Sequence, residues 1–152
     1  MTILVTGGAG YIGSQTSRLL TSLGREIVVL DSLERGNANS VLGAPLVIGD
    51  IADSALVTDI CLKYQVTTVI HFAAYKSAGE SMSQPEMYWR NNVQGTVNLI
   101  EGMLAAHVKH IVFSSSAAVY GNPQSSPISE ASIVKAIVRR KYIHFLGSLE
   151  LI

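Results

Sequence analysis

The 152-residue chain carries 11 basic and 11 acidic side chains, so its formal net charge is zero. Apolar residues make up 48% of the sequence, which argues against disorder, and the length suits one domain with a substantial core. The neutral balance provides no electrostatic basis for binding nucleic acid or an anionic membrane surface. With a single cysteine, Cys61, the sequence excludes an intrachain disulfide framework and suits a reducing compartment.

Membrane and metal-binding classes are also disfavoured by the sequence. There is no apolar run of about 18 residues, and the N-terminus lacks the basic region and the cleavage site of a signal peptide. We therefore expect a cytoplasmic protein with no membrane partner. The four histidines do not form a pair at ligand spacing with a third donor, so no metal site is expected. Cys61 lies in an apolar stretch and is interpreted as a core residue.

The first half of the chain predicts three strands and two helices. Gly24 is placed to end the first helix, and the second strand closes on Asp31. The predicted elements are a strand at 2–6, a helix at 11–23, a strand at 26–30, a strand at 45–48 and a helix at 54–64.

The second half predicts a strand at 67–72, a long helix at 84–106 with Pro85 in its first turn, and a strand at 109–114. The centre of this helix, residues 91–96, is rich in amide side chains and contains Gly95, although helix interiors disfavour Asn and Gly. A glycine there usually permits close packing, and the pair Asn91 and Asn92 suggests a functional role.

The strands are nearly continuous apolar runs, which indicates that both of their faces are buried, as in a parallel sheet. Strands that alternate with helices predict an α/β fold, a Rossmann-like doubly wound parallel sheet. The segment 121–129, rich in proline and serine, is the clearest break in the pattern.

Three glycines, Gly7, Gly10 and Gly13, stand at the spacing G-x-x-G-x-x-G between the first strand and the first helix. In that context the spacing predicts a loop whose backbone amides bind the pyrophosphate of a dinucleotide. Gly7 permits the turn, Gly10 lets the backbone approach phosphate, and Gly13 allows the helix to pack on the strand. The alternative interpretation is an ordinary glycine turn.

Two carboxylates follow neighbouring strands. Asp31 ends the second strand, where a carboxylate accepts hydrogen bonds from the adenosine ribose and repels a 2′-phosphate, so NAD is favoured over NADP. The alternative is a turn residue at a strand end. Asp50 is a candidate partner of the adenine amine, with Ile51 packed on the ring. Equally, Asp50 is a candidate N-cap of the next helix, a role also open to Asp53 or Ser54.

Two further groups follow later strands. In 71–76 the small residues Ala73 and Ala74 allow the backbone to pass close to a cofactor, and Lys76 offers a cation to a phosphate or ribose. His71 lies before the strand end and is interpreted as a packed core histidine. In 114–121 a serine hydroxyl is placed to hydrogen-bond a reacting alcohol or carbonyl; the alternative is a polar turn with capping serines.

Several motifs together resemble the UDP-glucose 4-epimerases of the extended short-chain dehydrogenase/reductase superfamily. The glycine motif marks the superfamily, and the other blocks are more specific to the epimerases. The resemblance covers residues 1 to about 130. It rests on Thr6-Gly7-Gly8-Ala9-Gly10-Tyr11-Ile12-Gly13-Ser14, His71-Phe72-Ala73-Ala74-Tyr75-Lys76, Gly79-Glu80-Ser81, Asn91-Asn92-Val93-Gln94-Gly95-Thr96 and Phe113-Ser114-Ser115-Ser116-Ala117-Ala118-Val119-Tyr120-Gly121.

The resemblance implies a tightly held NAD and a UDP-hexose substrate, whose 4-hydroxyl is oxidised to a ketone and reduced again from the other face. By this resemblance Ser116 hydrogen-bonds the sugar 4-oxygen, and Ala118 stands where many family members have Thr. Family members are often dimers, so a homodimer is an expected assembly. The implied cofactor-binding residues are Gly7, Gly10, Tyr11, Ile12 and Gly13 at the phosphates, Asp31 at the ribose, Asp50 and Ile51 at the adenine, Phe72, Ala73, Ala74 and Lys76 along the cofactor, and Asn91 in support.

The chain departs from the family in its last residues. The family base is the tyrosine of Tyr-x-x-x-Lys, roughly 25 positions after the serine, and a nearby lysine lowers the pKa of that tyrosine. This motif is absent from the sequence: if Lys141 takes the place of the lysine, Ile137 takes that of the tyrosine. Tyr142 is interpreted as a packing residue.

The expected organisation is an NAD-binding domain over 1–130 and a divergent amphipathic helical tail over 131–152, with the last strands and the sugar-binding domain absent. A truncated or frame-disrupted product is one interpretation of this ending. Two other functions stay open, another NAD-dependent nucleotide-sugar epimerase or dehydratase, and a non-catalytic NAD-binding fragment.

Overall fold

The structure is a computed structural model, and it describes residues 1–120, 126–129 and 132. The chain divides into two compact units, Met1–Ser114 and Ser115–Ile152. The boundary predicted at residue 130 lies inside the second unit and stays a prediction.

Five parallel strands form one sheet in the first unit, in the order β3-β2-β1-β4-β5. Val5 of β1 pairs with Val29 of β2 on one side and with Ile70 of β4 on the other. This arrangement confirms the predicted doubly wound sheet, in which the strand order reverses between β1 and β4. The strands are β1 Thr2–Thr6, β2 Glu26–Asp31, β3 Leu46–Ile48, β4 Val66–His71 and β5 His110–Phe113.

Helices cover both faces of the sheet. Helix α1 spans Tyr11–Ser22, and Gly24 follows it with φ of 69°, as expected for a glycine that ends a helix. Helix α2 spans Ser54–Lys63, and α5 spans Gly95–Ala105. A 3-10 turn, Ala38–Ser40, lies between β2 and β3.

The predicted helix over 84–106 is interrupted. The segment contains α4, Pro85–Tyr88, a π-helix, Trp89–Gln94, and then α5; a short helix α3, Ala78–Ser83, precedes it and was not predicted. The π-helical turn coincides with the amide-rich residues that disfavour a regular helix interior. Such turns occur often at functional sites.

The core lies on both faces of the sheet. On one face Leu4, Val28 and Leu99 belong to a cluster of buried residues, and on the other Val5 and Val29 form a second cluster. This burial on both faces explains the continuous apolar strands. Cys61 is buried in the first cluster, as predicted.

Glycines let α5 approach its neighbours. A Cβ atom on Gly95 would lie 3.1 Å from Ile51 Cδ1, and one on Gly102 would lie 2.7 Å from the Ser54 carbonyl oxygen. The glycine in the amide-rich segment therefore does permit close packing, as its position in the sequence indicated.

Helix α1 packs through small residues. Gly13, Ser14 and Ser17 are buried, whereas Leu19 and Leu23 are 59% and 64% exposed. A glycine and serines at the contact bring the helix axis close to the sheet, so the start of α1 lies next to the end of β1.

In the second unit the described residues include a 3-10 turn, Ala117–Tyr120. The N–H of Val119 donates to the Ser116 carbonyl at 3.1 Å. The predicted tail at 131–152, with Ile137, Lys141 and Tyr142, lies outside the described residues, as does most of the break at 121–129. No helix in the described part of the chain is long and apolar enough to cross a membrane.

Candidate functional site

The candidate site begins where β1 and β4 lie side by side and the strand order reverses. Ligands of doubly wound sheets bind beyond the carboxyl ends of the strands at this point. The Phe72 N–H donates to the Thr6 carbonyl at 3.0 Å, and the Gly7 N–H donates to the Leu30 carbonyl at 2.8 Å. The ends of β1, β2 and β4 are thereby tied together beneath the glycine loop.

Two of the three loop glycines are required by close backbone approaches. Gly7 has φ of 70°, and a Cβ on it would lie 2.6 Å from the Ala73 nitrogen. A Cβ on Gly13 would lie 2.2 Å from the Gly7 carbonyl oxygen. At Gly10 an added Cβ would lie 3.2 Å from the Gly7 carbonyl oxygen, a tight contact that requires a small shift of the backbone. The contact at Gly10 is thus less restrictive than those at Gly7 and Gly13, but it also favours glycine.

The N-terminus of α1 has no side-chain cap: Gly10 is the N-cap residue, and the first turn contains no acidic residue. The first N–H groups of a helix have no partner within the helix and carry partial positive charge. Tyr11 and Ile12 of this turn are 81% and 56% exposed. The beginning of α2 differs, because Asp53 accepts a hydrogen bond from Leu56 there. The start of α1 is therefore suited to an anionic ligand.

Asp31 is nearly buried at the end of β2. Its Oδ2 accepts the Ala9 N–H at 2.9 Å and its Oδ1 accepts the Leu33 N–H at 2.8 Å. An ionised carboxylate offers about four acceptor positions, so these two bonds leave capacity for ligand hydroxyls. Asp31 thus holds the glycine loop in place and also presents acceptors beside it.

Asp50 is exposed, and its Oδ1 accepts the Ala52 N–H at 2.9 Å. Helix α2 begins at Ser54 with Asp53 as its cap, so the N-cap interpretation of Asp50 is wrong. Ile51 is 4% exposed and lies against Gly95, so its side chain belongs to the core. The roles of both residues toward adenine stay predictions.

A cleft of about 620 Å³ opens beside Asp50, and Ala52, Tyr75, Arg90 and Asn91 line it as well. Asp50 and Asn91, two of the predicted cofactor-binding residues, are therefore brought together by the fold. The remaining lining comes from 83–87, in α3 and α4 and between them. The cleft has a size that suits a small-molecule group such as a nucleobase.

His71 is a core residue, as predicted. It is 3% exposed, its Nδ1 lies 2.6 Å from Thr6 Oγ1, and its Nε2 lies 3.1 Å from Thr96 Oγ1. Burial lowers the pKa of His71 to about 4, because the protein interior disfavours the charged imidazolium. The neutral ring links the end of β4 to α5.

The segment after β4 is held by Asn92, which the sequence interpretation did not assign. The Tyr75 N–H donates to Asn92 Oδ1 at 2.8 Å, and Asn92 Nδ2 donates to the Tyr75 carbonyl at 2.9 Å. Asn91, the predicted residue, donates to Asn92 Oδ1 at 2.8 Å. The amide pair in the π-helix was the signal in the sequence, and its second member makes the contacts with the main chain.

Within 72–76, Phe72 and Ala73 are partly buried, and Ala74 and Lys76 are exposed. Phe72 packs against the Val5 and Val29 cluster, and Ala73 packs against the opposite cluster. The backbone of this segment thus passes directly over the sheet end beside Gly7, while its exposed residues are accessible to a ligand.

A polar and aromatic cluster joins the loop after β2 to the loop after β4. Arg35 pairs with Glu80, with Nη1 to Oε2 at 2.8 Å, and its guanidinium lies 4.3 Å from the centre of the Tyr75 ring. The Tyr75 hydroxyl donates to Glu34, and the Tyr88 hydroxyl donates to Glu80 at 2.7 Å. We call these five residues the Arg35 cluster.

The electrostatics of the Arg35 cluster favour ionised Arg35 and Glu80. The hydrogen bond from Arg35 lowers the pKa of Glu80, and the same bond raises the pKa of Arg35 above its ordinary value. Burial and the adjacent Glu34 raise the pKa of Tyr75 to about 12, which keeps this hydroxyl protonated at neutral pH. Glu80 and Tyr75 stand in motifs quoted from the sequence, whereas Glu34, Arg35 and Tyr88 of this cluster were not predicted to belong to the site.

Ser116, the predicted catalytic residue, lies in the second unit. Its main-chain carbonyl accepts the Val119 N–H at the start of the 3-10 turn. Its role stays a prediction. Among the residues that the structure describes, no cluster of three His, Cys, Asp or Glu side chains is arranged to hold a metal ion.

The sequence matches the model of the NAD dependent epimerase/dehydratase family over residues 3–142. A UDP-glucose 4-epimerase from Halalkalibacterium halodurans is 49% identical over 131 residues, which are 86% of this chain and 39% of that protein.

Solved structures show the same likeness. UDP-glucose 4-epimerase from Brucella ovis, in complex with NAD, is 42% identical and aligns with a TM-score of 0.82 over 90% of this chain and 42% of that one. The Thermotoga maritima enzyme, with UDP-glucose, is 31% identical and has a TM-score of 0.83 over 97% of this chain and 48% of that one. This chain therefore spans less than half the length of each of these three proteins.

Proposed function

The chain belongs to the NAD dependent epimerase/dehydratase family, and we propose that it is the NAD-binding part of a UDP-glucose 4-epimerase. Such an enzyme interconverts UDP-glucose and UDP-galactose. The observation that carries the proposal is the uncapped start of α1 at a loop where Gly7 and Gly13 allow close approaches of the backbone. Relatives bearing the epimerase name support the choice of reaction.

The residues present fit NAD. The N–H groups at the start of α1 suit the pyrophosphate, and the remaining acceptor capacity of Asp31 suits ribose hydroxyls. The cleft beside Asp50 and Asn91 offers acceptor and donor groups that suit a nucleobase. Phe72, Ala73, Ala74 and Lys76 follow the cofactor path along the end of β4.

When bound, NAD supplies a hydride acceptor for oxidation of the sugar carbon and a hydride donor for its reduction. The chain's own residues hold the two phosphates at Gly10, Tyr11, Ile12 and Gly13, and hold the ribose at Asp31. Ser116 is proposed to hydrogen-bond the sugar 4-oxygen. A general base for the 4-hydroxyl contributes a factor of about 10² to 10⁴, and the residue aligned with the family tyrosine, Ile137, has no proton to exchange.

Gly10→Ala tests the cofactor site. The added methyl group would lie 3.2 Å from the Gly7 oxygen, a contact that a small backbone shift relieves, so the variant is expected to fold with some loss of stability. It is expected to bind NAD at least about tenfold more weakly, since the methyl group takes the space of a phosphate. The measurement is calorimetric titration of the purified chain with NAD, beside thermal unfolding. Gly79→Ala is the matched control, because nothing lies within 4 Å of its added Cβ.

Two results would speak against the proposal. If the folded wild-type chain does not bind NAD, the proposal loses its basis. Equal loss of affinity in Gly10→Ala and Gly79→Ala would show that the glycine loop is not the binding element.

A second function, NAD binding without catalysis, is favoured by one observation, Ile137 in the position of the tyrosine. Incubating the purified chain with NAD and UDP-galactose separates the two functions. Formation of UDP-glucose supports the epimerase, whereas retention of NAD without conversion supports the non-catalytic chain. Another nucleotide-sugar epimerase or dehydratase would convert a different sugar nucleotide in the same assay.

Location and assembly are proposed on the same basis. The buried thiol of Cys61 suits a reducing compartment, and we expect the protein in the cytoplasm. A homodimer is the expected assembly, and light scattering of the purified chain measures it.

A further inference from the structure

The loop after β2 combines two residues that usually indicate different cofactors. In dinucleotide-binding sheets an acidic residue at this strand end binds the 2′-hydroxyl of NAD, whereas a nearby arginine accommodates the 2′-phosphate of NADP. Asp31 is the acidic residue, and Arg35 follows four positions later. The intervening loop curls around the carboxylate: Leu33 N–H donates to Asp31 Oδ1, and a Cβ on Gly36 would lie 2.8 Å from the same oxygen.

The structure keeps Arg35 engaged in other contacts. Its two terminal nitrogens bind the two carboxylate oxygens of Glu80, Nη1 to Oε2 at 2.8 Å and Nη2 to Oε1 at 2.9 Å. This two-point geometry is the strongest form of the pair. The guanidinium also lies over the Tyr75 ring at 4.3 Å from its centre, a favourable cation–π distance.

Both partners of Arg35 are themselves held in place. Glu80 accepts the Tyr88 hydroxyl at 2.7 Å, and the Tyr75 main chain is bound at both its N–H and its carbonyl by Asn92. The Tyr75 and Tyr88 rings lie 5.5 Å apart between centroids. Arg35 is therefore held by residues fixed from α3, α4 and the π-helix, although its side chain is 44% exposed.

We propose that Glu80, with Tyr75, sequesters Arg35 so that its charge is withheld from a 2′-phosphate, which makes the site selective for NAD over NADP. This assignment rests on the proposed NAD-binding function. Asp31 repels the 2′-phosphate of NADP, and Glu80 removes the attraction that Arg35 would otherwise exert on that phosphate. Glu80 is a specificity-determining positioning residue, since it acts through Arg35.

A variant that frees Arg35 should gain affinity for NADP. Glu80→Gln keeps the size of the side chain and one acceptor for Tyr88, but it leaves the guanidinium without its counter-charge. The ratio of NADP affinity to NAD affinity is then expected to rise about fivefold to tenfold, because a partly exposed cation attracts a nearby phosphate dianion by about that much.

The test compares wild type, Glu80→Gln, Arg35→Gln and the double variant by calorimetric titration with NAD and with NADP. Glu26→Gln is the matched control, because Glu26 is an exposed carboxylate at the opposite, amino end of β2, where it pairs with the N-terminal amine. The gain caused by Glu80→Gln should be at least about fivefold when Arg35 is present, and less than about twofold in the Arg35→Gln background. Thermal unfolding of each variant confirms that it is folded.

An equal gain in both backgrounds would overturn the assignment, because it would mean that Glu80 acts only as a distant negative charge. An unchanged ratio in Glu80→Gln, with NAD still bound, would overturn it as well while leaving the proposed function intact. If the folded wild-type chain binds neither dinucleotide, the proposed function itself fails and the assignment falls with it.

Discussion

The buried imidazole of His71 makes the stability of the folded chain depend on pH. Burial lowers the pKa of His71 from 6.5 to about 4 in the folded chain. Between these two values the unfolded chain binds a proton that the folded chain does not, so acidification favours unfolding. From pH 7 to pH 5 the free energy of unfolding is expected to fall by about 2 kcal/mol through this group.

Chemical denaturation with urea at pH 7 and at pH 5 measures this loss. His71→Gln removes the titrating group and keeps a polar side chain for Thr6 or Thr96. This variant is expected to be less stable than wild type at pH 7, because one buried hydrogen bond is lost, but to lose much less stability between the two pH values. His110→Gln, the same substitution at an exposed position, is the matched control.

The reasoning would be refuted if His71→Gln retained the full loss of about 2 kcal/mol between pH 7 and pH 5. In that case other groups would cause the acid sensitivity. A wild-type chain with equal stability at both pH values would also contradict it, since the folded chain would then bind the proton as readily as the unfolded one.

Two further changes address the loops around the site. Asn92→Ala removes both hydrogen bonds to the Tyr75 main chain, which should lower the free energy of unfolding by about 1–3 kcal/mol and weaken NAD binding. Urea denaturation and NAD titration measure these two effects. If neither quantity changes, Asn92 does not hold the loop. Asp31→Asn places an amide donor against the Ala9 or Leu33 N–H, so both the stability of the chain and its preference for NAD over NADP should fall. If calorimetry shows an unchanged ratio of NAD affinity to NADP affinity, Asp31 does not bind the ribose.

Local sequence patterns predicted the strands to within one or two residues. The bounds of β1 agree completely, and β2 to β5 differ only at their ends. Strands that are buried on both faces of a parallel sheet are continuous apolar runs, and a glycine or a polar residue marks the end of most of these runs. The positions of the strands can therefore be read from the local sequence. The packed state of His71 and Cys61 followed from the same local apolar context.

The long helix shows where local patterns fail. Periodicity and Pro85 predicted one continuous helix, but the chain forms α4, a π-helical turn and α5. The π-helical turn places Asn92 against the main chain of Tyr75, a contact between residues 17 positions apart. Helical propensity depends only on the residues of the helix itself and not on a distant partner such as Tyr75. The sequence therefore marked the segment as unusual without revealing its geometry.

The sequence by itself determined the order of elements, the glycine loop and the position of Asp31, because each depends on residues that are close together in the chain. Only the tertiary structure decided what those groups face. It showed Gly7 and Gly13 to lie where an added Cβ would meet the main chain, Asp31 to be bound by two main-chain N–H groups, and Arg35 to be held by Glu80, 45 positions away. Such contacts arise when distant loops meet at the carboxyl end of the sheet, and no local pattern of residues specifies them.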